Sequence, residues 1–399
     1  MGVVHLSDVE AARELLAGVV ERTPVAHSRW LSAYSGVDVH LKCENLQRTG
    51  SFKIRGAYVR ISRLSPQERA RGVVAASAGN HAQGVALAAQ LLGTRATIVM
   101  PEGAALPKVV ATRGYGADIE FAGSGVTEAL VHAQDFAERT GAVLIHPFDH
   151  EDVLAGQGTV GLEIVEQLPE VATIVVPLGG GGLAAGIALV RERRPDVRVV
   201  GVQAADAAAY PASLAEGRPL AGTMGATMAD GIAVAQPGLI PFEVIAAQLD
   251  DVVTVGEESM SQALIGLLER AKMLVEPSGA AGVAALLDRP DAFEGPVVPV
   301  LSGGNIDALV LQDVIRHGLA AAGRFMRLRV RFSDRPGELT RLLSDLASLQ
   351  VNVLDVAHDR SDATLGVREV EVAVVVATRG REHADEVRQR LIDLDYRLG

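Results

Sequence analysis

Six short apolar runs, each closed by a turn, restrict most of this chain to an α/β arrangement. Val73-Val74-Ala75-Ala76 ends in Ser77 and leads into a helical pattern from Ala82 to Leu92, and Thr97-Ile98-Val99-Met100 runs into Pro101-Glu102-Gly103. Ala142 to Ile145, Ala172 to Val176, Val197 to Val202 and Val297 to Leu301 read as further strands. Their near-continuous apolar character suits strands buried on both faces, and so sheets covered by helices on each side. Chemistry in such open sheets is expected at the carboxyl ends of the strands.

The pattern changes around Gly318 to Gly323. Beyond it, Met326 to Phe332 alternates like a half-exposed strand, Asp334-Arg335-Pro336-Gly337 is a turn, and Glu338 to Leu349 has helical periodicity. Val351 to Ala357 and Val370 to Val376 read as strands, a charged helix spans about Glu382 to Leu394, and Tyr396-Arg397-Leu398 closes the chain. The order strand-helix-strand-strand-helix-strand predicts a small ferredoxin-like α+β domain. No nucleophile or metal cluster stands out in it, so regulation or assembly is expected there. The reading is a catalytic domain over 1–320, with a small lobe over approximately 41–135, and a second domain over 325–399.

Formal net charge of -12 argues against nucleic acid as a main partner. Cys43 is the only cysteine, which excludes an intrachain disulfide and a cysteine-based zinc cluster. Met1-Gly2-Val3-Val4-His5 does not open a secretory signal, and the apolar runs are too short or too glycine-rich to span a membrane. A cytoplasmic enzyme is expected.

Three segments carry chemistry. Lys53, in Gly50-Ser51-Phe52-Lys53, becomes a nucleophile if burial favours its neutral amine, and Phe52 can help to fill a dry pocket. A packed stem with a solvated ammonium is the plainer alternative. Gly179-Gly180-Gly181-Gly182 before Leu183 can present backbone N–H groups to a phosphate at a helix start, or simply make a tight turn. It lacks the lysine and hydroxyl residue of a nucleotide P-loop, and no acidic ribose partner lies within Val197 to Val202. A smaller phosphorylated cofactor fits better. Between the two lies the polar turn Ser77-Ala78-Gly79-Asn80-His81, whose Asn80 suits ligand binding or helix capping.

As an ordered set these segments resemble a known family. Glu44 to Ala57, which contains Ser51-Phe52-Lys53-Ile54-Arg55-Gly56, resembles the cofactor-lysine region of threonine dehydratases, in the tryptophan-synthase-β-like (fold type II) class of pyridoxal phosphate enzymes. Ser77 to Gly84, Met100 to Gly103, His146-Pro147-Phe148-Asp149, Gly179 to Leu183 and Ser302-Gly303-Gly304-Asn305 extend the match over roughly 5–320. The resemblance implies two open α/β lobes and an imine between Lys53 and pyridoxal 5'-phosphate. It assigns Asn80 to the ring hydroxyl, the amides of 179–183 to the phosphate and Ser302 to the pyridine nitrogen. Freed Lys53 would take the α-proton, while Ser77, Ala78, Gly79, Asn80 and His81 position the carboxylate. L-Threonine would yield 2-oxobutanoate and ammonia, and L-serine would yield pyruvate.

Ala78 stands where related serine racemases carry a serine, and it has no transferable proton, which disfavours racemisation. Glu276, before Pro277-Ser278-Gly279-Ala280, is a secondary candidate beside the cofactor ring, or else a helix cap. Pro147 argues against a helical metal pair of His146 and His150, and Gln203 and Ala209 replace carboxylates that hold a divalent ion in some relatives. No protein metal ligand is therefore expected, although backbone carbonyls leave room for a monovalent cation. The tail resembles an ACT domain through Asp334-Arg335-Pro336-Gly337-Glu338-Leu339 and Asn352. That implies an amino acid effector, isoleucine first and valine second, or alternatively a dimerisation lobe. Family habit suggests a homodimer or homotetramer. Dehydration of another β-hydroxy amino acid, serine racemisation and noncatalytic amino acid binding are the competing readings.

Overall fold

The structure is a computed structural model that describes residues 4–360 and 365–399, so the first three residues of the N-terminal reading lie outside it. It divides into two compact units, Met1–Val310 and Leu311–Gly399, and the division falls within the helix Ala308–Ala321. Among the described residues no helix is long and apolar enough to cross a membrane.

The first unit opens with the helix Leu6–Leu16, followed by an antiparallel ribbon of β1 (Val25–His27) and β2 (His40–Lys42). A parallel sheet follows, built from β3 (Val73–Ala76), β4 (Ala96–Met100), β5 (Asp118–Phe121) and β6 (Val143–Leu144), in the spatial order β5-β4-β3-β6. This sheet continues past residue 135, where the sequence reading ends the small lobe. A second parallel sheet contains β7 (Thr173–Pro177), β8 (Arg198–Ala204), β9 (Asp251–Val255) and β10 (Val297–Pro299), in the order β10-β7-β8-β9. Every residue of β3, β7 and β10 is buried, as expected where helices cover both faces.

The strand orders decide where a ligand can sit. In the first sheet the chain runs from β3 outward to β4 and β5, then returns to place β6 on the other side of β3. In the second it runs from β7 to β8 and β9, then places β10 on the other side of β7. Loops leaving neighbouring strands at such a reversal turn opposite ways and open a crevice at the carboxyl ends. The loops concerned are Ser77–Gly79 and Ile145–His150 in one sheet, and Leu178–Gly181 and Leu301–Asp307 in the other.

The second unit is an antiparallel sheet of β11 (Phe325–Ser333), β12 (Asn352–Asp359), β13 (Glu369–Ala377) and β14 (Arg397–Leu398), in the order β12-β13-β11-β14. Met326, Leu328 and Val330 alternate inward from β11. They pack with Leu342 and Leu346 of the helix Glu338–Ser348, and with Val387 and Leu391 of the helix Arg381–Asp393. The βαββαβ succession is the ferredoxin-like order expected from the sequence.

Candidate active site

Both crevices of the first unit open into one cavity of about 270 Å³. Phe52, Lys53, Ser77, Ala78, Gly79, Asn80, His81, the loop Gly179–Leu183, Glu276 and Ser302 all line it, so the structure brings together the catalytic-domain residues expected to meet cofactor or substrate. Asp334, Gly337, Glu338, Leu339 and Asn352 lie in the second unit. There Asp334 accepts two hydrogen bonds from the Arg360 guanidinium at 2.9 and 3.3 Å, and Glu338 pairs with Arg341 at 3.4 Å. Gly337 takes φ 97° before the helix Glu338–Ser348, Leu339 packs against that unit's core, and Asn352 is exposed at the start of β12.

Lys53 is the first residue of the helix Lys53–Ser62. Its Nζ donates to the Pro147 carbonyl at 3.0 Å and lies 5.1 Å from the centre of the Phe52 ring. Burial lowers the amine to about 8, against a smaller upward pull from Glu276. A substantial neutral fraction near pH 8 is what a nucleophilic amine requires.

Glu276 is the opposite case. It precedes the helix Pro277–Asp288 without capping it, is only 6% exposed, and accepts from Asn80 Nδ2 at 2.6 Å. Burial first, and the Asp230 carboxylate second, push it up to about 7. Asn80 Oδ1 in turn accepts from Asn305 Nδ2 at 2.7 Å, so Glu276, Asn80 and Asn305 form one chain of hydrogen bonds. His81 donates from Nε2 to the Ile145 carbonyl at 2.8 Å, and burial takes it down to about 3. That fixes it as a neutral anchor between β3 and β6 rather than an acid or base. His146 is lowered to about 4 by burial and accepts at Nδ1 from the Asp149 amide at 2.8 Å, while His150 caps the helix Glu151–Gln167. Both histidines therefore do turn and capping work.

The glycine loop presents five amides in a row. Among the described residues, none of the N–H groups of 179–183 donates to another protein group. Unpaired backbone donors at a cavity wall are costly unless a ligand or water meets them. The loop cannot carry side chains: Gly181 has φ 105° and a Cβ there would overlap Tyr210 Oη, while a Cβ on Gly180 would enter the Phe148 ring. Ser278 adds to the same cavity a buried hydroxyl that has no partner among the described residues, and the 4% exposed Ser302 lines the cavity as well. A reactive amine, a row of free amides and two buried hydroxyls fit a phosphorylated pyridine aldehyde. The sequence reading missed Lys108, Asp230, Ser278 and Asn305 as cavity residues. Of these, Ser278 and Asn305 fall inside quoted motifs, and Lys108 follows the turn after β4.

Fold and site together define a fold type II pyridoxal phosphate enzyme. The pyridoxal-phosphate dependent enzyme family matches residues 16–303, and the chain belongs to that family. It is 45% identical over 397 residues to L-threonine ammonia-lyase of Thermotoga maritima, covering 99% of each chain. Among solved structures it resembles the processed form of threonine deaminase isoform 2 from Solanum lycopersicum, with 37% identity, a TM-score of 0.74, and coverage of 77% of this chain and 91% of that one. Maize serine racemase is similar too, with 35% identity, a TM-score of 0.75, and coverage of 80% and 99%.

Proposed function

We propose that this protein is an L-threonine ammonia-lyase that converts L-threonine to 2-oxobutanoate and ammonia and also accepts L-serine. The observation that carries the reading is the single cavity joining the Lys53 amine to the free amides of 179–183. Pyridoxal phosphate, when bound, supplies an aldehyde for that amine and an electron sink for the charge left when the α-proton departs. Lys53 Nζ holds and then moves the α-proton. The amides of 179–183 receive the phosphate. Asn80 and Ser302 are assigned to the ring hydroxyl and the ring nitrogen, and Phe52 excludes water beside the amine. Serine is a neutral partner for the nitrogen, which limits charge delocalisation into the ring and favours elimination over transamination. The loop 77–81 contributes backbone donors to substrate, and Ala78 offers no second proton donor. That favours lyase over racemase chemistry.

The second unit is read as an ACT-like regulatory domain over about 325–399, with the turn Asp334–Leu339 and Asn352 as its effector site. Isoleucine is the first effector to test and valine the second, and a homodimer or homotetramer is the expected assembly.

Purified protein supplied with pyridoxal phosphate and L-threonine should form 2-oxobutanoate and ammonia. Lys53→Ala should lower the rate by at least ~10²–10⁴-fold, because it removes the proton-transferring amine. Absence of oxo acid with threonine and with serine, or full activity of Lys53→Ala, would overturn the assignment.

A further inference from the structure

The free amides of the glycine loop are aimed by what holds its carbonyls. The Gly180 carbonyl accepts from the Gly238 amide at 3.0 Å and from the Tyr210 hydroxyl at 3.2 Å. Both donors lie behind the loop: Tyr210 is fully buried, and neither residue lines the cavity. In a planar trans peptide the C=O and the next N–H point opposite ways. A Gly180 carbonyl drawn back from the cavity therefore turns the Gly181 N–H toward it, where no protein acceptor among the described residues meets that N–H.

We propose that Tyr210 is a positioning residue for the cofactor phosphate, its hydroxyl holding the Gly180–Gly181 peptide so that the Gly181 N–H is presented to the phosphate. This role depends on the phosphate lying against the loop 179–183. The hydroxyl is placed by the core rather than by the loop. Tyr210 opens the helix Tyr210–Glu216, its backbone N–H donates to Oε1 of the fully buried Gln203 of β8 at 2.9 Å, and its ring stacks on Phe242 at 6.3 Å between centres. Burial also raises the phenol above its ordinary range, so it stays protonated and meets the carbonyl as a donor. Donation into the Gly180 carbonyl polarises that peptide and strengthens its N–H as a donor, which suits an anion. The fit is close, because a Cβ on Gly181 would overlap the same hydroxyl. The second donor has its own anchor: Asp149 accepts from the Leu239 and Ile240 amides at 3.0 and 2.9 Å, and so fixes the turn that carries Gly238. Loss of the Tyr210 hydroxyl should therefore loosen the peptide without releasing it.

The test uses the full chain freed of cofactor and two ligands that differ only at the group in question: pyridoxal 5'-phosphate and pyridoxal, each followed by the change in its absorbance on binding. Tyr210→Phe should weaken binding of pyridoxal phosphate by about 3–10-fold, the value of one neutral hydrogen bond, and of pyridoxal by less than about twofold. Val244→Ala trims the same core cluster but removes no hydroxyl. It should lower the denaturation midpoint and leave the ratio of the two affinities unchanged. An unmoved affinity for pyridoxal phosphate in Tyr210→Phe, an equal loss for both ligands, or the same change of ratio in Val244→Ala would overturn the inference, since core packing alone does not sort ligands by their phosphate. Equal wild-type affinities for the two ligands would instead remove the phosphate from the loop, and this role with it. A wild type that prefers the phosphorylated ligand, beside an unaffected Tyr210→Phe, removes this role alone.

Discussion

Lys42, Glu44, Arg55 and Glu163 are buried together in the first unit, while Lys53, His81 and Glu276 line its cavity, and the two groups differ in whether each charge meets its opposite. Arg55 is fully buried and donates to both oxygens of Glu44 at 2.8 and 2.9 Å, and to both oxygens of Glu163 at 2.7 and 3.0 Å. Lys42 completes the set at 2.5 Å from Glu163. Burial alone would push Glu44 up, yet the Arg55 charge and hydrogen bonds hold it below the usual carboxylate range. Glu276 is buried to a similar degree, has only a neutral amide as its direct partner, and rises to about 7. Arg55 and Lys53 sit two residues apart on one helix. Its start therefore carries both a locked cation and an amine free to lose its proton. Ion pairing, rather than depth, separates structural charge from chemical charge here.

Breaking the paired group should have the largest effect. Arg55→Met leaves Glu44 buried without its cation, and should cost about 3–5 kcal/mol in chemical denaturation. The double variant Arg55→Met with Glu44→Gln should be less destabilised than Arg55→Met alone, because the orphaned charge is gone. A double variant as unstable as the single one would mean that packing, not charge, holds this cluster together.

The sequence showed the chemical group more clearly than the structural one. Lys53, the turn 77–81 and the glycine loop 179–183 are legible because residues at the carboxyl ends of strands form unusual strings that packing alone does not demand. β5 and β9 escaped notice: each begins with an exposed aspartate, β5 has no fully buried residue and lacks an apolar run, and β9 was passed over although its Val-Val-Thr-Val run buries Val253 and Val255. The burial of Glu276 was beyond a local reading. Its place before Pro277 suits a helix cap, and only the fold brings it to Asn80, 196 residues away in sequence. Lys108 and Asp230, 122 residues apart, are likewise joined by tertiary structure that no periodicity records.

Removing charge from the unpaired group should stabilise the protein. In the cofactor-free protein Glu276 rises from 4.5 to about 7, so between those pH values the native state keeps a proton that the unfolded state has lost. Stability then falls as pH rises through this window, and the full cost of roughly 3 kcal/mol is present above pH 7. Glu276→Gln keeps an acceptor for Asn80 and should recover most of that cost at pH 8, and almost none at pH 4. Denaturation midpoints across pH check the sign, and a gain independent of pH would contradict it. With the cofactor bound, the same variant should lose activity if the ionised carboxylate helps to orient Asn80.

The smallest effect links Lys53 and Glu276 within the unpaired group. Lys53 falls from 10.5 to about 8, so between those values the unfolded chain binds the extra proton and stability rises with pH. Lys53→Met should therefore stabilise the cofactor-free protein by about 1–2 kcal/mol below pH 8, after allowing for the lost bond to Pro147, and the gain should vanish near pH 10.5. Lys53 and Glu276 attract each other, so each substitution also changes what the other is worth. Glu276→Gln should gain more in the Lys53→Met background than in the wild type, with a coupling of about 0.5–1 kcal/mol at pH 7.5. Strict additivity would show that the amine and the carboxylate titrate independently, and would leave burial alone to explain both shifts.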